Sequence, residues 1–221
     1  MATWVAHFRL VEALLERVFD FERRSFLVGN IAPDSGVLTA DKTGYEPSSD
    51  VSHWRGTGRD ILPEQFYADH LADQTFSADE YAFRMGYYCH LIADQLWAEH
   101  IWRPKKETPL YAPVKDDPQF AWEIKKDWYG LDFLYLQDNP QSIFYTDFVH
   151  IGAVPDYIDD VFPAGAFTQR VKDTQSFYLN PPDWDLERPY MYLNRQEWDD
   201  YITLTIEALQ DVLIAKNVAQ N

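Results

Sequence analysis

The spacing of hydrophobic and polar residues along this chain predicts a succession of helices. Large apolar side chains recur at steps of three and four, the period of one helix face, over residues 4–19, 22–31, 63–72, 118–136 and 195–216. A longer central helix is expected to begin at a capping signature formed by Ser77 and Glu80 and to end at Pro104. No strand-like alternation persists. The pattern therefore predicts an all-α fold in which residues 1–221 form a single-domain, multi-helical bundle.

The connections between the predicted helices differ in character. Residues 33–62 are rich in Gly, Ser, Thr and Asp, which predicts a long loop. Beyond Asn139, repeated prolines divide the chain into short helices and loops. Loops held beside a rigid scaffold often supply functional side chains. Because the loop 33–62 contains Asp34 and His53, we expect it to contribute to a site, with Trp54 near the rim.

Two polar residues of the central helix occupy positions where core side chains are expected. The large apolar residues of its inner face leave two gaps, which His90 and Asp94 fill. His7 likewise occupies the first inner position of the helix 4–19. Burying an unpartnered carboxylate is costly, so a bound metal ion is the leading interpretation. The alternative is that His90 and Asp94 hydrogen-bond only to each other.

Composition and charge narrow the function classes. The formal net charge is -17, which leaves no basic stripe for a nucleic-acid backbone, so no long nucleic acid is expected as a partner. The single cysteine, Cys89, cannot form an intrachain disulfide. The sequence predicts neither a secretory signal nor a membrane span, which favours a cytoplasmic location. Bound divalent ions could still attract one phosphate group locally.

The order of these polar residues resembles that of the zinc-dependent phospholipases C and the related zinc-dependent single-strand nucleases. That family has a His on its first helix, an Asp just after its second and a His on the following loop. Its long helix then carries His, three residues, Asp, five residues and His. The matching positions are His7, Asp34 in FLVGNIAPD, His53, and then His90, Asp94 and His100 in HLIADQLWAEH. The resemblance covers roughly the first hundred residues.

The resemblance implies a zinc site, and two departures limit it. Secreted members use the terminal amino group and carbonyl of an N-terminal Trp as ligands, whereas Trp4 is internal. Members also use a downstream His with a Glu four residues later, whereas His150 is followed by Val154. Six residues from Asp94 is about 240° around a helix, so His100 faces away from His90 unless the helix bends. Asp127 and Asp132 lie near the apolar face of the helix 118–136 and could approach the site, but a place on the helix surface is the default expectation.

The sequence therefore predicts a zinc-dependent phosphoric ester hydrolase resembling phospholipase C. Its metal ligands would be His7, Asp34, His53, His90 and Asp94, which would hold one or two Zn²⁺ ions, with Fe or Mn as alternatives. Asp34 or Asp94 would orient the attacking water, and the substrate would be a small phosphodiester or phosphomonoester. A nucleotide-directed phosphoesterase and a non-catalytic helical module with a structural or degenerate metal site remain open alternatives.

Overall fold

The computed structural model describes residues 1–17, 19–115, 117 and 119–218 of the chain. Its α-helices are α1 (Trp4–Arg17), α2 (Arg23–Gly29), α3 (Ser49–Ser52), α4 (Pro63–His70), α5 (Ala78–Trp97), α6 (Arg103–Lys106), α7 (Phe120–Asp138), α8 (Ile143–Thr146), α9 (Ala166–Leu179) and α10 (Arg195–Ala215). A π-helical turn (Ala98–Trp102) joins α5 to α6, and 3-10 turns cover Ala32–Asp34, Ala112–Lys115 and Phe148–His150. The fold is all-α and multi-helical, as predicted. That the whole chain forms one domain remains a prediction.

The predicted helices 4–19, 22–31, 63–72, 118–136 and 195–216 correspond to α1, α2, α4, α7 and α10. The predicted positions 18 and 118 lie outside the described residues. At the start of α5, the hydroxyl of Ser77 accepts a hydrogen bond from the Glu80 backbone N–H, as a helix cap does. The carboxylate of Glu80 pairs with Arg84. The capping signature therefore located the beginning of the central helix correctly.

The end of the central helix was predicted wrongly. Helical backbone continues from α5 through the π-helical turn and into α6, which runs past Pro104 to Lys106. Pro104 occupies a position in the first turn of α6, where a missing N–H costs nothing. Pro104 therefore lies at the beginning of α6 and does not end the helix before it.

The segment 33–62 is more structured than the predicted loop. It contains the antiparallel strands β1 (Val37–Leu38) and β2 (Tyr45–Glu46), with Val37 opposite Glu46, and then the single-turn helix α3. Further along the chain, α9 lies in a region expected to hold only short helices. Its buried face includes Phe167, Val171, Thr174 and Tyr178, and the threonine interrupted the apolar pattern.

Helix α2 packs backbone to backbone against α5, which carries His90 and Asp94. A Cβ atom added to Gly29 would lie 2.0 Å from the carbonyl oxygen of Phe83, and one added to Gly86 would lie 2.4 Å from that of Phe26. Only glycine permits so close an approach. The contact brings the residues that follow α2 against the middle of α5.

Buried apolar residues of α1, α2, α5, α7 and α10 belong to one hydrophobic cluster around these helices. None of the described helices is both long and apolar enough to cross a membrane.

Candidate metal centre

Five polar side chains from four separate segments meet beside the hydrophobic core. Helix α1 positions His7, the 3-10 turn after α2 positions Asp34, and the residue after α3 is His53. Helix α5 supplies both His90 and Asp94, one turn apart. His7 and His90 are fully buried, His53 and Asp94 are 1% exposed, and the Asp34 side chain is 12% exposed. The structure therefore brings together all five residues that the sequence had singled out.

Asp94 lies at the centre of the group. Its Oδ1 is 3.6 Å from Nε2 of His7. Its Oδ2 is 3.4 Å from Nε2 of His53 and 3.5 Å from Nε2 of His90. Asp34 joins from the other side, with Oδ1 3.5 Å from Nε2 of His53. All three imidazoles thus present Nε2 to the two carboxylates.

Contacts outside the group fix the orientation of these rings. Nδ1 of His90 lies 2.8 Å from the carbonyl oxygen of Asn30, and Nδ1 of His53 lies 3.0 Å from the hydroxyl oxygen of Ser52. The rings of His7 and His90 stack with their centres 4.0 Å apart. Because a backbone carbonyl accepts but does not donate, the Nδ1–H of His90 donates to Asn30, and this directs Nε2 of the ring at Asp94.

The carboxylates are held in the same way. The indole Nε1 of Trp4 donates to Oδ2 of Asp34 over 2.8 Å, and the backbone N–H of Ala2 donates to Oδ1 of Asp94 over 2.7 Å. These contacts hold both carboxylates in place, with Oδ1 of Asp34 and both oxygens of Asp94 still facing imidazoles. The beginning of the chain therefore lies against the site, a placement that the sequence did not indicate.

Several inward atoms lack hydrogen bonds, which tests whether the group suits a metal ion. Among the described residues, both ring nitrogens of His7 and Oδ2 of Asp94 are buried without a hydrogen-bond partner. Buried polar atoms are rarely left unsatisfied. The donor set of imidazole nitrogens and carboxylate oxygens is one that zinc prefers. The residues present therefore fit a zinc site.

The ligand atoms fall into two overlapping groups, in each of which they lie within 4.8 Å of one another. One group is His7, His90 and Asp94, and the other is Asp34, His53 and His90. His90 belongs to both, and Asp94 faces both through its two oxygens.

Protonation in the metal-free protein follows from burial and from these contacts. Burial, reinforced by His90, lowers the pKa of His7 to about 4. Burial would also lower the pKa of His53, but contacts with Asp34 and Asp94 outweigh it and raise the value to about 9. Burial would raise the pKa of both carboxylates. His53 and His90 outweigh burial at Asp34, and the terminal amino group, His90 and His53 outweigh it at Asp94, so both pKa values lie well below the ordinary range. A proton on His53 thus offsets part of the buried negative charge.

A cavity of about 1020 Å³ opens onto the metal-ligand group. Asp34, His53 and Asp94 line it, together with residues of the 33–62 segment, the π-helical turn, α7 and α9. Its volume is close to the upper end of the range that is typical of small-molecule sites.

Other expected residues lie elsewhere. His100 and His150 are exposed and do not line the cavity. Trp54 packs against Phe66, with ring centres 4.9 Å apart, and does not line the cavity either, so its expected place at the rim was wrong. Trp4 is the ring that reaches the site.

The expected surface positions of Asp127 and Asp132 were also wrong, because both are buried. Asp127 binds Arg188, and Asp132 accepts hydrogen bonds from the hydroxyls of Thr3 and Tyr178. Their partners come from distant segments, which the helical pattern of α7 could not reveal.

An all-α fold that surrounds three imidazoles and two carboxylates beside a cavity is typical of a helical metal-binding protein. Residues 6–125, more than half of the chain, match the family model described as zinc dependent phospholipase C, and the chain belongs to that family. No curated protein and no solved structure matches it. The matched range includes all five residues of the metal-ligand group, so the family and the geometry together identify a metal-dependent hydrolase.

Proposed function

We propose that this protein hydrolyses phosphate esters of small molecules, with zinc bound by His7, Asp34, His53, His90 and Asp94. The observation that carries the proposal is the convergence of five buried or half-buried ligand side chains beside one cavity, which Asp34, His53 and Asp94 line. The family match supports zinc as the metal. Iron and manganese accept the same ligand types, so metal analysis has to include them.

The two overlapping ligand groups support a site for two ions. His7 would serve one ion, while Asp34 and His53 would serve the other. Asp94 would bridge them, because its two oxygens face different imidazoles. When bound, zinc lowers the pKa of a water ligand to near 7 and stabilises the negative charge that grows on phosphate oxygens.

Among the carboxylates, Asp34 is the better candidate to handle the proton of the attacking water. It lines the cavity and is partly exposed, whereas Asp94 is almost fully buried. Its pKa is held well below the ordinary range, so it stays ionised and can accept a hydrogen bond from water. The indole of Trp4 fixes Oδ2 and leaves Oδ1 directed at His53. Asp34 would thus orient the water, and Asp94 would hold the ligand set together.

The aromatic residues of the cavity favour a nucleotide-directed phosphoesterase as the second candidate. Trp4, Tyr45, Trp102 and Tyr129 all line the cavity, and such rings can stack on a base. The net charge of -17 disfavours a long nucleic acid more than it disfavours a mononucleotide.

Elemental analysis and an activity panel test the proposal together. The protein is purified without an affinity metal or chelator, its metal content is measured, and the zinc-loaded form is assayed on phosphomonoesters, phosphodiesters and nucleotides. We expect one or two zinc ions per chain and turnover that a chelator abolishes and zinc restores. Asp94→Asn should lose both metal and activity, whereas Asp60→Asn, which changes an exposed carboxylate of the same cavity, should keep both.

Two outcomes would contradict the proposal. Less than about half an equivalent of transition metal would favour a degenerate site. Stoichiometric metal without turnover of any ester would indicate a non-catalytic helical module in which the ion is structural.

A further inference from the structure

Arg170 has an unusual place in this acidic chain, because most arginines are paired with a carboxylate. Ion pairs within 4.0 Å hold Arg9, Arg23, Arg55, Arg59, Arg84, Arg103, Arg188 and Arg195. Within the described residues, Arg170 makes no such pair, and its Nε is buried without a hydrogen-bond partner. Arg24 also lacks an ion pair, but it is exposed on the surface of α2. Arg170 is therefore a half-buried cation with no carboxylate within 4.0 Å in the part of the chain that the structure describes.

The location of Arg170 connects it to the metal-ligand group. It extends from α9 and lines the cavity. Its guanidinium carbon lies 5.2 Å from the centre of the Trp4 ring, and the indole of Trp4 donates to Asp34. One aromatic side chain thus separates the arginine from a proposed metal ligand.

One further cation without an ion pair lines the same cavity; the other cations of its lining, Arg55, Arg59 and Arg103, are paired with carboxylates. Lys125 of α7 is half-buried and makes no ion pair among the described residues. Tyr129, one turn further along α7, also lines the cavity. The ring of Tyr129 lies 5.1 Å, centre to centre, from that of Phe177 on α9, so this face of α7 contacts the helix that carries Arg170. We call Lys125 and Arg170 the cationic wall.

A half-buried cation that contacts only an aromatic ring, as Arg170 and Lys125 do, is less hydrated than an exposed one and is therefore stabilised further by an anion. The phosphate under attack would already be neutralised by the metal ions, so it leaves the cationic wall without a counter-charge. A cationic alcohol group would be repelled by it. We propose that the cationic wall binds a second anionic group of the substrate, a phosphate or a carboxylate, so that the enzyme selects phosphate esters carrying a further negative charge.

This inference rests on the proposed function, because it presumes that a phosphate group sits at the metal ions. A pair of non-hydrolysable probes separates the two ideas. Propylphosphonate carries only the phosphonate, whereas 2-carboxyethylphosphonate adds a carboxylate at a similar length. Their dissociation constants for the zinc-loaded protein are measured by isothermal titration calorimetry.

We expect the carboxylated probe to bind about tenfold more tightly, as a charge-assisted hydrogen bond implies. Arg170→Gln should abolish most of that advantage without changing the binding of propylphosphonate, and Lys125→Gln should reduce the advantage by a smaller factor. Arg24→Gln, which removes an exposed and unpaired arginine, is the matched control and should leave both constants unchanged. Arg170→Lys, which keeps the charge, should retain part of the advantage. Zinc content and thermal unfolding are measured for every variant.

The outcomes are distinguishable. Binding of propylphosphonate without any gain from the carboxylate would overturn the cationic wall and leave the proposed function standing. An undiminished gain in both Arg170→Gln and Lys125→Gln would overturn it as well, since the carboxylate would then be bound elsewhere. Failure of both probes to bind would overturn the proposed function and this inference together.

Discussion

In the metal-free protein, the charge on His53 should make stability depend on pH. The ring is 1% exposed and lies 3.5 Å from Asp34 and 3.4 Å from Asp94. These carboxylates raise its pKa from 6.5 to about 9, so the folded protein holds the proton more tightly than the unfolded chain does. Replacing His53 by Gln removes that proton while keeping a polar side chain of similar size.

The sign and size of the effect follow from linkage. A folded-state pKa above the unfolded value stabilises the protein fully below pH 6.5, and the contribution is lost as the pH rises toward 9. A difference of roughly two and a half pKa units corresponds to about 3 kcal/mol in the free energy of unfolding. Wild type should therefore exceed His53→Gln by about that amount near pH 6, and the two curves should converge near pH 9.

Urea unfolding in the presence of a chelator, followed by far-UV circular dichroism at intervals between pH 6 and 9, measures this difference. The comparison with a variant is needed because burial also raises the pKa of Asp132 to about 8. The stability that the protonated carboxyl of Asp132 contributes is therefore lost over part of the same pH range. His100→Gln, at an exposed histidine, is the control and should follow wild type. With zinc bound, the part of the decline that His53 causes should disappear, because a liganded imidazole is already neutral, whereas the part that Asp132 causes should remain. Parallel profiles for wild type and His53→Gln would refute the reasoning.

Three further predictions concern metal binding and packing. Asp94→Asn should weaken zinc binding at least about 100-fold, because it removes the carboxylate that faces all three imidazoles. Competition with a chromogenic chelator measures the affinity, and an unchanged value would exclude Asp94 as a ligand. Ser52→Ala should weaken zinc binding about tenfold by releasing Nδ1 of His53, and retention of full affinity would show that the hydroxyl does not orient the ring. Gly86→Ala should lower the free energy of unfolding by about 1–3 kcal/mol, because the added Cβ would lie 2.4 Å from a backbone oxygen of α2. Gly44→Ala is the control, since a Cβ added there has no neighbour within 4 Å. Equal effects of the two substitutions in thermal melts would contradict the packing argument.

The helical pattern predicted part of the site because it predicted which face of a helix is buried. His90 and Asp94 interrupted an otherwise apolar face, and the structure buries both beside His7. Asp34 and His53 carried no such signal, since neither lies within a periodic helix. Their selection depended on the order of residues that the family shares.

What the sequence did not predict depends on contacts between distant segments. Trp4 reaches Asp34 across the site, and Arg170 reaches Trp4 from a helix late in the chain. No local spacing records such contacts. The burial of Asp132 was missed for the same reason, because its partners Thr3 and Tyr178 belong to other elements. Pro104 was misinterpreted for a different reason. A proline indicates a helix boundary, but the boundary can be the beginning of a helix as well as its end.

Because the proposed ligands come from distant parts of the chain, an ion bound by them would also stabilise the fold. Positions 7, 34, 53 and 90 are separated by long stretches of chain, and the sole cysteine, Cys89, is buried and unpaired. Coordination would therefore act as a multi-way cross-link, closing several loops at once and restricting the unfolded ensemble as covalent staples do in other proteins. Removal of the ion would then destabilise the amino-terminal half of the fold and abolish catalysis at the same time.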